Sequence, residues 1–127
     1  MRKLISTGSP MEKAAGYSRA VVQGEHCFVA GTTGYDYETM RMPKSIEEQT
    51  RNALLTIEKS LNEAGFEMSD IVRVQYYITD PSDAGRVFPI VGEIFADIRP
   101  AATMLVTGLI RPEMRIEIEA TALKAHT

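Results

Sequence analysis

The sequence predicts an α+β domain in which a small β-sheet is packed on two α-helices lying on one of its faces. Three observations predict it. A long stretch with helical apolar spacing follows residue 45, a strictly alternating segment spans residues 71–78, and two further β-prone segments close the chain beyond Pro100. Residues 1–127 read as a single domain, since 127 residues are enough for one independent core and too few for two.

The elements follow in order. Tyr17 to Val22 and His26 to Ala30 are short β-prone segments flanking Gln23-Gly24-Glu25, where the glycine suits a tight hairpin turn. Gly31-Thr32-Thr33-Gly34 ends the second of them, and residues 35–44 lack periodicity and read as a surface loop. Ser45-Ile46-Glu47-Glu48 is a capping box, and Thr50, Ala53, Leu54, Ile57, Leu61 and Ala64 then recur on one helical face. Gly65 suits the left-handed position that closes a helix. In 71–78, Val72, Val74, Tyr76 and Ile78 share one side and Arg73, Gln75 and Tyr77 the other. Val87, Val91, Ile94, Phe95 and Ile98 mark a second helix. Pro89 would break its interior, so its regular part is expected to begin near Phe88 and to end before Pro100. Ala102 to Leu109 and Met114 to Leu123 are expected as two strands, antiparallel neighbours across Ile110-Arg111-Pro112-Glu113. Helices on one face leave the other in need of a cover, and a second subunit is the simplest one.

Composition narrows the function. A net charge of −3 with dispersed Lys and Arg disfavours nucleic acid as a partner. No apolar run is long enough to span a membrane, and Met1 to Ser6 does not read as a signal peptide, so the expected location is cytoplasmic. Cys27 is the only cysteine, and His26 and His126 have no ligand spacing, so no metal site is expected. Cys27 should face the side opposite His26 and Phe28 and pack as a small hydrophobe.

Three groups of residues can carry chemistry. Glu117 and Glu119 share one face of the last strand, roughly 6.5–7 Å apart along it. A carboxylate beside an apolar wall can act as a general acid or base, although the same pair also fits a solvated strand face bonded to Arg115. Thr32, Thr33 and Thr103 supply hydroxyls, and Gly31 and Gly34 let the backbone approach a ligand. Tyr17 either lines a cleft or packs.

The sequence also carries Gly16-Tyr17-Ser18 with Ala20-Val21, Val29-Ala30-Gly31, Gln49 to Asn52, Ala64-Gly65, Asp70-Ile71-Val72, Arg99-Pro100-Ala101 and Ile116-Glu117-Ile118-Glu119-Ala120. In this order and spacing, over nearly the whole chain, they resemble the Rid family: reactive intermediate deaminases, also called YjgF or endoribonuclease L-PSP proteins. The resemblance implies the chorismate-mutase-like Rid fold, a homotrimer with a barrel-like sheet core, and small-molecule clefts between subunits. It further implies cofactor-free hydrolysis of 2-imino or enamine acids to 2-oxo acids and ammonia. Glu117 matches the family's water-positioning glutamate, and Tyr17, Gly31 and Thr103 match cleft-lining positions. Two positions depart from the pattern. Ala102 stands where deaminases of the family carry a carboxylate-binding arginine, and Phe88 where many carry asparagine. Arg19, Arg73 and Arg99 are the cations available to compensate. The sequence therefore supports a deaminase with Glu117 catalytic and Tyr17, Gly31, Thr32, Thr33, Phe88, Ala102 and Thr103 at the substrate. Its alternative is a non-catalytic small-molecule-binding trimer, a metabolite sensor or interaction protein. A ribonuclease role is disfavoured by the acidic balance and the lack of paired histidines.

Overall fold

In a computed structural model, which describes residues 2–125, the chain runs β1 (Arg2–Ile5), α1 (Pro10–Ala15), β2 (Ala20–Gln23), β3 (His26–Thr33), α2 (Ile46–Glu63), β4 (Ile71–Ile78), α3 (Ala84–Ile94), β5 (Ala101–Val106) and β6 (Ile116–Leu123). His126 lies outside the described residues. The long helix keeps the serine half of its expected capping box: the Ser45 hydroxyl accepts from the Glu48 N–H at 3.2 Å, while the Glu48 side chain makes no return bond among the described residues. Gly65 follows at φ +86°, a conformation that favours glycine. Its expected inner face, Thr50, Ala53, Leu54, Ile57, Leu61 and Ala64, is buried.

The six strands form one sheet in the order β1-β2-β3-β6-β4-β5. Every pairing is antiparallel except β4 with β5. The two final strands are therefore not neighbours, contrary to the sequence expectation. The β4-α3-β5 crossover makes β5 a parallel edge strand, and β6 enters between β3 and β4. Burial explains the choice. Ile116, Ile118, Ala120 and Ala122 give β6 a fully apolar inner face suited to a central position, whereas no residue of β5 is fully buried.

Two other expectations are corrected. α3 begins at Ala84, four residues before Phe88, and holds Pro89 in its interior. Pro89 removes the N–H that would reach Gly85, and burial of Val87, Ile90 and Val91 offsets the loss. Val72 is exposed: the β4–β6 register shifts between Ile71 and Arg73, so Ile71 takes the inner place. β1 and α1 were not anticipated, although Ser9-Pro10-Met11-Glu12 has capping-box spacing. The Ser9 hydroxyl accepts from the Glu12 N–H at 3.4 Å.

Residues of α2 and α3 and the inner sides of β3, β4 and β6 make one apolar cluster, with Cys27 buried in it as expected. The opposite sheet face carries no helix residue of that cluster. Across it run Phe28, Thr121, Arg73, Gln75, Tyr77, Glu117, Glu119, Thr103 and Leu105, placed there by strand register. Phe28 and Leu105 are about half exposed on it, at 49% and 50%.

Candidate active site

Glu117 sits mid-strand on β6, opposite Thr33 of β3 and Tyr77 of β4. Its side chain lies over Gly31: a Cβ added at that glycine would come within 2.9 Å of the Glu117 carboxyl carbon. Only glycine lets the carboxylate rest against the backbone there. Met11, Ala14, Tyr17, Ala30 and Ile110 complete a cleft of about 520 Å³ around Gly31 and Glu117. Burial raises the Glu117 pKa above its usual 4.5, and the negative Glu119 adds to the rise, while Arg19 opposes it.

The two glutamates differ in their freedom. Glu119 accepts a short hydrogen bond from the Tyr77 hydroxyl, and that bond, with burial, raises the Tyr77 pKa and keeps the phenol protonated. Glu117 accepts no hydrogen bond from any other described residue. It is the carboxylate left available to a ligand or a water.

Beneath the cleft floor lies a buried ion pair that sequence reasoning did not anticipate. Arg19 is 0% exposed and Glu12 5%. Arg19 Nη1 donates to the Gly31 carbonyl at 2.7 Å and to Thr32 Oγ1 at 3.0 Å, and its Nη2 lies 3.6 Å from Glu12 Oε2. The guanidinium also packs against the rings of Tyr37 and Tyr17, 4.7 and 5.6 Å from their centroids. Glu12 in turn accepts from the hydroxyls of Ser6, Thr7 and Ser9. Arg19 thus holds the Gly31 carbonyl, and with it the backbone on which Glu117 rests. Capping-box spacing marked Glu12 in the sequence, but Arg19 has no local signal.

Thr32 and Thr33, expected at the ligand, are buried. Thr32 donates to the Ala30 carbonyl at 2.8 Å, and the Thr33 N–H donates to the Tyr37 hydroxyl at 3.1 Å. They shape the turn below the cleft and do not line it.

Phe88, Ala102 and Thr103 line a different chamber of about 540 Å³ between α3 and β5, with Val91, Phe95 and Arg99. Strand register shows why it is separate. Ala102 pairs with Val74 and Glu117 with Tyr77, and Val74 and Tyr77 point to opposite sides of β4. One protomer therefore brings Tyr17, Gly31 and Glu117 together and holds Phe88 and Ala102 apart from them, while Thr103, paired with Gln75, stands on the Glu117 side of the sheet at the far edge strand and reaches the chamber at its rim.

This sheet order with an acid lying over a glycine turn defines the class. The chain belongs to the endoribonuclease L-PSP family, the YjgF or Rid proteins, whose family model matches residues 7–124. Among particular relatives, a RutC family protein from Pyrococcus horikoshii is 30% identical over 125 residues, which cover 98% of this chain and 99% of that one. A 2-iminobutanoate/2-iminopropanoate deaminase from Rattus norvegicus is 29% identical over 125 residues, with 98% of this chain and 91% of the relative covered. A crystal structure of a YjgF/YER057c/UK114 family member from Mycobacterium tuberculosis superposes with a TM-score of 0.89 at 42% identity, covering 98% of this chain and all 100% of that one. No helix among the described residues is long and apolar enough to cross a membrane.

Proposed function

We propose that this protein is a cofactor-free imine deaminase whose clefts are completed between the protomers of a homotrimer. The observation that carries the reading is the Glu117 carboxylate, which accepts no hydrogen bond from another described residue and is held at the floor of a cleft. In the reaction, Glu117 takes a proton from water as the water oxygen bonds to the imine carbon and returns that proton to the nitrogen, giving a carbinolamine that carries an NH2 group. Glu117 then takes the carbinolamine hydroxyl proton and passes it to the same nitrogen, so that the C–N bond breaks with ammonia leaving and a carbonyl forming. One imine and one water become one 2-oxo acid and one ammonia, with no electron transferred. A carboxylate with a raised pKa suits this exchange, because it gives its proton back as readily as it takes it.

A homotrimer fits the same reading. Because one chain holds Ala102 on the sheet side opposite Glu117 and Thr103 two strands away from it on edge strand β5, a neighbouring protomer is the simplest way to place Phe88, Ala102 and Thr103 across from Glu117. The exposed Phe28 and Leu105 give the open sheet face an apolar surface for such packing. A non-catalytic binding trimer is the second reading, favoured by the apolar Ala102 and Phe88. The two are separated by generating 2-imino acids in situ with an amino acid oxidase. Their hydrolysis should run at least tenfold faster with the protein than in buffer alone. Equal rates, with a small molecule retained through purification, would establish the binding reading instead.

A further inference from the structure

We infer that Arg99 is the carboxylate clamp of this site and that the chamber between α3 and β5 selects 2-imino acids with large apolar side chains; this deepens, and rests on, the deaminase reading above. The chamber wall is made chiefly of Phe88, Val91, Phe95, Pro100 and Met104, and among the described residues Arg99 is the one charged residue lining it. At about 540 Å³ it has room for a whole small metabolite, and its chiefly apolar wall favours a side chain with more apolar surface than a methyl group. Ala102 lines the same chamber, so a cation at position 99 moves the positive charge along the wall and does not abolish it.

Two features of Arg99 itself support the assignment. Its φ is +56°, the left-handed region, where a side chain on Cβ is strained and where the following proline adds a further penalty. Glycine would take this conformation freely, so the arginine carries a cost at a position where its backbone N–H is already engaged, donating to the Phe95 carbonyl at 3.0 Å. Its guanidinium makes no hydrogen bond or ion pair with any other described residue. An unspent planar fork at the rim of an apolar chamber matches a carboxylate with an apolar tail.

The test compares wild type with Arg99→Gly and Arg99→Lys. The glycine variant suits the backbone and so should fold. For the imine derived from leucine, Arg99→Gly should raise KM by about tenfold to a hundredfold with a smaller change in kcat, and Arg99→Lys should recover part of the loss. Binding of 4-methylpentanoate should weaken by a similar factor, while its neutral amide binds wild type and Arg99→Gly alike. The leucine-derived imine should also be preferred over the alanine-derived one by about tenfold or more in kcat/KM. Unchanged KM and unchanged 4-methylpentanoate binding in Arg99→Gly would overturn the clamp while leaving a Glu117-dependent deaminase standing. Arg99-dependent binding of 4-methylpentanoate without any turnover would uphold the clamp and overturn the deaminase reading.

Discussion

Glu117→Ala should slow ammonia release from imines by about 10²- to 10⁴-fold, the usual worth of a positioned general acid–base group. Glu117→Gln should lose nearly as much, because an amide keeps the shape of the side chain but cannot accept the water's proton. Glu119→Gln should lose far less, since Glu119 is engaged by Tyr77. The pH profile gives a second readout. With its pKa raised by burial, Glu117 reaches its basic form only above the ordinary 4.5, so the acidic limb of kcat/KM should lie above that value in wild type. Stability moves the opposite way. A raised folded-state pKa means the native protein holds the proton more tightly than the unfolded chain, so this group costs stability as pH rises past 4.5 through its folded value. Glu117→Gln should therefore melt higher than wild type near neutrality, with the gain vanishing in acid. A variant that loses activity and melts lower would instead point to a structural role.

Glu12→Ala should lower the unfolding free energy by about 3–5 kcal/mol, the cost of stranding one partner of a buried ion pair. Arg19 is wholly buried, and its Nε has no hydrogen-bond partner among the described residues, so it has no spare capacity to compensate. Removing the carboxylate also takes the shared acceptor from Ser6, Thr7 and Ser9. Chemical denaturation by urea at neutral pH measures the loss directly. Burial alone would raise the Glu12 pKa, but the hydroxyls of Thr7, Ser6 and Ser9, aided by Arg19, together outweigh it and hold the group below 4.5. A lowered folded-state pKa stabilises above the unfolded value and loses that contribution as pH falls through the folded one. The difference between wild type and Glu12→Ala should accordingly narrow in acid. A loss under 1 kcal/mol at neutral pH would show that the pair does not anchor this end of the sheet.

The local pattern of the sequence carried most of the fold's parts and little of its order. Helix α2 was legible from Ser45 to Gly65 because capping and apolar spacing act within a few residues. The place of β6 was not, because β5 and β6 are adjacent in the chain and strand pairing depends on which inner face best fills the sheet centre. Pro89 misled for a related reason: its local penalty is real, but burial of Val87, Ile90 and Val91 outweighs it. At the site, Glu117 and Gly31 were legible as motif positions, and the close approach of one to the other is seen only in three dimensions. Arg19 was invisible as an anchor because its partners Glu12 and the Gly31 carbonyl come from separate elements. Thr32 and Thr33 looked like ligand hydroxyls because sequence does not reveal which way a bulged strand turns its side chains; β3 shifts register between Val29 and Thr32.

In the proposed assembly, Glu117 of one protomer and the Phe88-lined chamber of its neighbour make a single reaction site. Co-assembling Glu117→Ala with Phe88→Asp probes that sharing, since Phe88 is 56% exposed and its replacement spares the core. Each variant alone should be inactive. Random co-assembly into trimers should restore about one cleft in four, and with it a matching share of wild-type ammonia release. Mixed assemblies with no more activity than the two variants measured separately would show that the carboxylate and the chamber do not share a cleft.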